Sequence, residues 1–142
     1  MKKLTILFVC LMLLPGCKAG EYMKVFQSLE QADRAIVTEY TGNPALDFAA
    51  KRCEDTENLA MITEILTDIK IKEKTDTIYG GASVTIVLFA GEEIIYRIYV
   101  YGEDYVSVNG ECYTYSNGEN FFRLYEKLTV SEVIINGRGI LC

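Results

Sequence analysis

The sequence predicts an α+β domain in which an antiparallel β-meander packs against two amphipathic helices, and three observations carry that expectation. Leu59, Ile62, Ile65, Leu66 and Ile69 recur at helical spacing, and so do Phe121, Leu124, Tyr125 and Leu128. Between the two stripes lie β-rich stretches joined by connections too short for anything but hairpins, which force neighbouring strands to run antiparallel. The sharpest of these connections is Asn109-Gly110, because both residue types tolerate positive φ.

The chain opens with Lys2 and Lys3 and then an apolar run from Leu4 to Leu14, the charged and hydrophobic regions of an export signal. The run is shorter than the roughly 20 apolar residues that span a bilayer, and Pro15-Gly16 ends it. Leu14-Pro15-Gly16-Cys17 resembles the lipobox of bacterial lipoproteins, although Pro15 departs from the small or hydroxylated residue usual there. The resemblance implies a signal peptide over 1–16, acylation of Cys17 as the mature N-terminus, a short tether over 17–25 and a single domain over 26–142. The implied address is the cell membrane, lipid-anchored on its extracytoplasmic face. Two or three acyl chains anchor stably where one binds only marginally. The alternative is a plain secretory cut near Ala19.

Within the domain, Glu21–Asp33 reads as a short helical lead with Phe26 and Leu29 one turn apart. Arg34–Thr41 is rich in β-formers and stops at Gly42-Asn43-Pro44, and Ala45–Arg52 is its candidate hairpin partner. Asp55-Thr56-Glu57 supplies a cap and first-turn acids for the first helix. Ile69–Lys74 reads as a strand with exposed lysines, and Tyr79-Gly80-Gly81 as a break. The meander then comprises Ser83–Phe89, Ile94–Tyr101, Asp104–Val108 and Cys112–Tyr115. Ser116-Asn117-Gly118-Glu119 has the form of a capping box for the second helix. The tail, Thr129–Cys142, reads as a small hairpin or an added edge strand through Val133-Ile134-Ile135.

Composition narrows the function. There is no histidine and no tryptophan, which removes histidine-based triads, histidine metal ligands and imidazole acid–base chemistry. The formal net charge of −6 falls further when Lys2 and Lys3 leave with the signal. No basic stripe of the kind that binds nucleic acid is present. Cys53, Cys112 and Cys142 stay in the mature chain beside Cys17. Their scattered positions do not match the close spacing of a cysteine metal site, and three pairings are open to a single disulfide. Cys112, in mid-strand, reads as a small buried hydrophobe. No cofactor or metal is implied.

Several stretches resemble a group of small, uncharacterised Gram-positive surface lipoproteins, and with them the extracytoplasmic domains of BlaR/MecR-like sensor proteins. They are "FQSLEQADRAIVTEY", "ENLAMITEILTDIKI", "GASVTIVLF" and "VSVNGECYTY" followed by "NFFRLYEKL". The resemblance runs from Phe26 to Leu128, rests on core and turn patterns, and brings no catalytic residues. It implies a non-enzymatic binding or sensory accessory domain facing the cell wall, with an envelope protein or cell-wall ligand as partner. A close relative of that reading is an inhibitor or immunity-like protein whose surplus acid steers it to a basic enzyme.

The rival class is an envelope hydrolase working with two carboxylates. Its candidates are Glu92, Glu93, Glu103 and Asp104, all at hairpin turns, and a pocket between Glu103 and another carboxylate would favour it. The same acids lack the spacing of an EF-hand calcium loop. For partner binding the candidate surface is the face bearing Arg97, Tyr99 and Tyr101. Alternation along Ile94–Tyr101 assigns Ile94, Tyr96, Ile98 and Val100 to the core, and Ile95 with those three to the other side. Tyrosine and arginine combine large contact area with a polar tip. The alternative is that these tyrosines cover a helix or the C-terminal hairpin.

Overall fold

Asp55 starts the longest of the described helices, as its position in the sequence suggests. Its side chain accepts from the Asn58 backbone N–H at 2.9 Å, satisfying one of the donors that a helix start leaves free. In the computed structural model, which describes residues 22–40 and 48–135, the strands are β1 (Arg34–Glu39), β2 (Phe48–Cys53), β3 (Lys70–Lys74), β4 (Val84–Ala90), β5 (Glu93–Tyr101), β6 (Tyr105–Val108), β7 (Glu111–Ser116) and β8 (Glu132–Ile135). The helices are α1 (Thr56–Asp68), α2 (Glu119–Phe122) and α3 (Leu124–Lys127).

All eight strands join one antiparallel sheet in the order β3-β7-β6-β5-β4-β1-β2-β8. β4 to β7 form the meander, with β1 added on one side and β3 on the other. One face supplies Val37, Ile86, Leu88, Ile98, Val100, Val106 and Tyr115 to the core. Ile62, Ile65 and Leu66 of α1 pack there together with Phe121, Leu124 and Leu128. The fold is therefore α+β, with the described helices on one side of the sheet.

Four details depart from the sequence reading. The lead before β1 is extended, with a lone 3-10 turn at Leu29–Gln31 and an antiparallel bridge from Met23 to Ile71. Pairing with the edge of β3 satisfies backbone groups that a helix would have paired within itself. The second helix is split into two four-residue turns at Arg123, yet Phe121, Leu124, Tyr125 and Leu128 are all buried as one stripe. The capping box does not form, because Ser116 still belongs to β7 and the N-cap is Gly118, with no side-chain cap bond. Strict alternation also fails at the start of β5. A register shift places Ile94 opposite Phe89 and Tyr96 opposite Leu88, so Ile95, and not Ile94, packs against the core. A β-bulge of this kind adds one residue and reverses the facing of those before it.

The tail does supply an added edge strand, β8, paired with β2. Residues 41–47 and 136–142, with the Gly42-Asn43-Pro44 turn, the start of the β2 stretch and Cys142, lie outside the described residues, as do Cys17 and the signal segment.

Candidate functional site

The face turned away from the helices is built by cross-strand rows that the register specifies. Arg97 lies opposite Val87, Val87 opposite Ile36, and Ile36 opposite Arg52. The next row runs from Cys112 through Ser107 and Tyr99 to Thr85 and Thr38. Tyr101 faces Tyr105, whose ring meets Tyr79 edge-on at 6.4 Å between centroids. No described helix packs on this face. Arg97, Tyr99 and Tyr101, singled out from the sequence, thus sit together on it, each half-buried by its neighbours. Burial, with the Cys112 and Tyr99 side chains adding to it, holds the Tyr101 hydroxyl above the ordinary phenol range.

Two further arginines that sequence reasoning missed share this face. Arg34 stacks 4.3 Å over the Phe89 ring and donates to the Gly91 carbonyl at 3.2 Å. Arg52 donates through Nε to Glu54 at 2.8 Å. The signal was present in the alternation of β1 and β2, but it needs the register to bring them beside Arg97. Among the described residues, the Arg97 guanidinium has no hydrogen bond or ion pair.

Asn109 organises the same end of the face. With φ of 50° it makes the tight turn together with Gly110 at 87°. Its side chain accepts from the Arg97 N–H at 2.8 Å and donates to the Ile95 carbonyl at 3.2 Å. One amide thereby continues the ladder past the end of β6 and fixes the backbone on which Arg97 stands.

The carboxylates fall into two groups. Glu92 and Glu93 lie where β5 begins, Glu103 and Asp104 at the β5–β6 turn beyond its end, and the length of β5 (Glu93–Tyr101) separates them. At ~3.4 Å per residue that strand spans about 27 Å, far beyond the 5–10 Å that paired glycosidase carboxylates need. Glu103 and Asp104 do border a cleft of about 380 Å³ with Lys72, Glu119 and Arg123. Its carboxylates are exposed, and Glu119, 83% exposed, reaches Arg123 at 3.9 Å. The wall is the Tyr115 ring, whose hydroxyl donates to the Gly102 carbonyl at 2.6 Å; burial, then Asp104 and Glu103, push this phenol well up.

Among the described residues, no group of His, Cys, Asp and Glu is arranged to hold a metal ion. Cys53 is buried in the core and its thiol is pushed up to about 11, mainly by burial and then by Asp55. Cys112 is only half-buried, on the helix-free face, because β7 points alternate residues outward; the expectation of a buried small hydrophobe fits Cys53 better. Five strand spacings, about 24 Å, and opposite faces separate the two. Of the three disulfide pairings only those with Cys142 are left.

No family model, no curated protein and no solved structure matches the chain. The likeness to surface lipoproteins and sensor domains therefore rests on the quoted stretches alone.

Proposed function

We propose that this protein is a lipid-anchored, extracytoplasmic, non-enzymatic binding or sensory accessory domain, which engages an anionic cell-wall ligand through the helix-free face of its sheet. The observation that carries the reading is the Arg97 guanidinium, without a partner among the described residues, beside Tyr99 and Tyr101 on that face. A guanidinium matches the geometry of carboxylate or phosphate, and flat phenols offer apolar area with a polar tip, which suits the ring of a charged sugar. Arg34 and Arg52 extend the same chemistry across the sheet, within a chain whose net charge is −6. An inhibitor of a basic enzyme would draw on the net charge but not on this face. The cleft at Glu103 supports a hydrolase less well, since a general acid is ordinarily raised by burial and its carboxylates are solvated.

Two measurements test the proposal. Cys17→Ser should release the chain from the membrane fraction or leave the signal uncut, with no acyl mass at the N-terminus. Processing and anchoring like the parent would remove the address. Calorimetric titration with anionic cell-wall glycan fragments should give binding that weakens with salt, while uncharged glycans of equal length should give none. Equal binding of both would remove the arginine-centred reading.

A further inference from the structure

We propose that the outer edge of β3, with the segment bound along it, is the surface that lies against an anionic phospholipid bilayer. The inference rests on the acylation of Cys17 and adds to it an orientation. Five residues carry the chain from Cys17 to Tyr22, and a fully extended chain of that length reaches at most about 18 Å. At Tyr22 and Met23 the chain is already fixed to the sheet: the Met23 N–H donates to the Ile71 carbonyl at 2.9 Å, and Lys70 Nζ lies 5.4 Å from the centre of the Tyr22 ring. An anchor at Cys17 therefore holds the β3 edge to the membrane. The β8 edge is seven strand spacings away, about 33 Å.

The side chains at that edge suit the place. Tyr22 is 50% exposed and Met23 43%, and aromatic residues favour the headgroup level of a bilayer. Lys24 and Lys70 are exposed beside them, where lysines are drawn to the negative surface of an anionic leaflet. Tyr22, Met23, Lys24 and Lys70 line one groove of about 410 Å³ in which Asp68 is the sole carboxylate. In a protein with six more acids than bases, this local balance is reversed. Seating the β3 edge on the bilayer also leaves the Arg97 face standing across the membrane plane, open to the wall.

The absence of native tryptophan makes the test direct. Tyr22→Trp and, as the distant control, Val133→Trp on β8 each give the full acylated protein a single reporter. Both are reconstituted in phosphatidylcholine–phosphatidylglycerol vesicles with brominated acyl chains. The reporter at 22, held at the headgroup level that aromatic residues favour, should lose emission, and the one at 133 should lose none. Lys24→Glu with Lys70→Glu should abolish the part of that loss that depends on phosphatidylglycerol. Equal emission at 22 and 133 in a protein whose acyl mass is confirmed overturns this proposal alone. Lack of acyl mass on Cys17 would overturn the anchor reading and this orientation with it.

Discussion

Gly118, the N-cap of α2, also leaves the space that a neighbouring ring fills. A Cβ placed there would come within 2.0 Å of the Tyr115 ring, and that ring cannot retreat, because it is hydrogen-bonded to Gly102 and packed edge-on against Phe121 at 5.6 Å. Gly118→Ala is accordingly expected to cost about 1–3 kcal/mol, the range for overpacking a core, readable as a lower urea midpoint. A neutral result would show that the ring is free to shift. Asn58, 2% exposed, is another residue whose role needs the fold. It donates to Asp55 and accepts from the Thr129 N–H at 3.1 Å, tying the start of α1 to the chain beyond α3. Lys51 does the same from β2, donating to the Tyr125 and Leu128 carbonyls at 2.8 and 3.0 Å. Neither tie carries a local sequence signal, since Thr129 lies some seventy residues from Asn58, and Tyr125 and Leu128 as far from Lys51.

Elements with a strong period were legible in the sequence, and elements set by pairing were not. α1 declares itself through five apolar residues on one stripe and a capping aspartate, and the meander through its short turns. The extended lead at 22–28 was opaque because its backbone partner is Ile71, a contact of topology and not of local preference. The bulge in β5 was opaque because both Ile94 and Ile95 are apolar, so their order gives no sign of which faces the core. Of the candidate site, Arg97, Tyr99 and Tyr101 were legible from alternation beyond the bulge, while Arg34 and Arg52 required the sheet order. Asn109 links these levels. Asn109→Ala loses two side-chain bonds to β5 and strains a positive φ, for a cost of about 2–3 kcal/mol; Asn109→Gly keeps the φ and should cost less. Chemical denaturation of the two variants checks both parts: a more costly glycine would contradict the positive-φ strain, and a glycine without cost would contradict the ladder role.

At the scale of the whole molecule, the titratable groups leave a quiet range around neutrality. Without histidine, no side chain of ordinary pKa changes charge between pH 5 and 8. On the acid side Asp55 is held below the carboxylate range by the Asn58 backbone and side chain, and Glu111 by Lys74 and Tyr113. Their contribution is present above the unfolded carboxylate pKa and is lost as pH falls below it. On the alkaline side Cys53 is raised to about 11, chiefly by burial, Tyr113 to about 12 by its bond to Glu111, and Tyr125 to about 12 by burial. Their contribution is full below the ordinary thiol value of 9.0 and is lost as pH rises through 11 to 12. Thermal melts should therefore be level within about 2 °C from pH 6 to 8 and fall on both sides; a midpoint that moves steadily across neutrality would contradict this account.

The same scale decides whether the helix-free face binds or merely closes the sheet. On it, Tyr99 pairs with Thr85 and Ser107, and Tyr101 with Tyr105, contacts worth about 0.2–1 kcal/mol each. The Tyr99→Ala, Tyr101→Ala double variant, measured at once for melting and for affinity to anionic cell-wall glycan fragments, is the most direct test. The account predicts a modest fall in melting temperature with affinity reduced by about tenfold or more, in the range of interface hot spots. Unchanged affinity, or a collapse in stability like that of a core truncation, would contradict it.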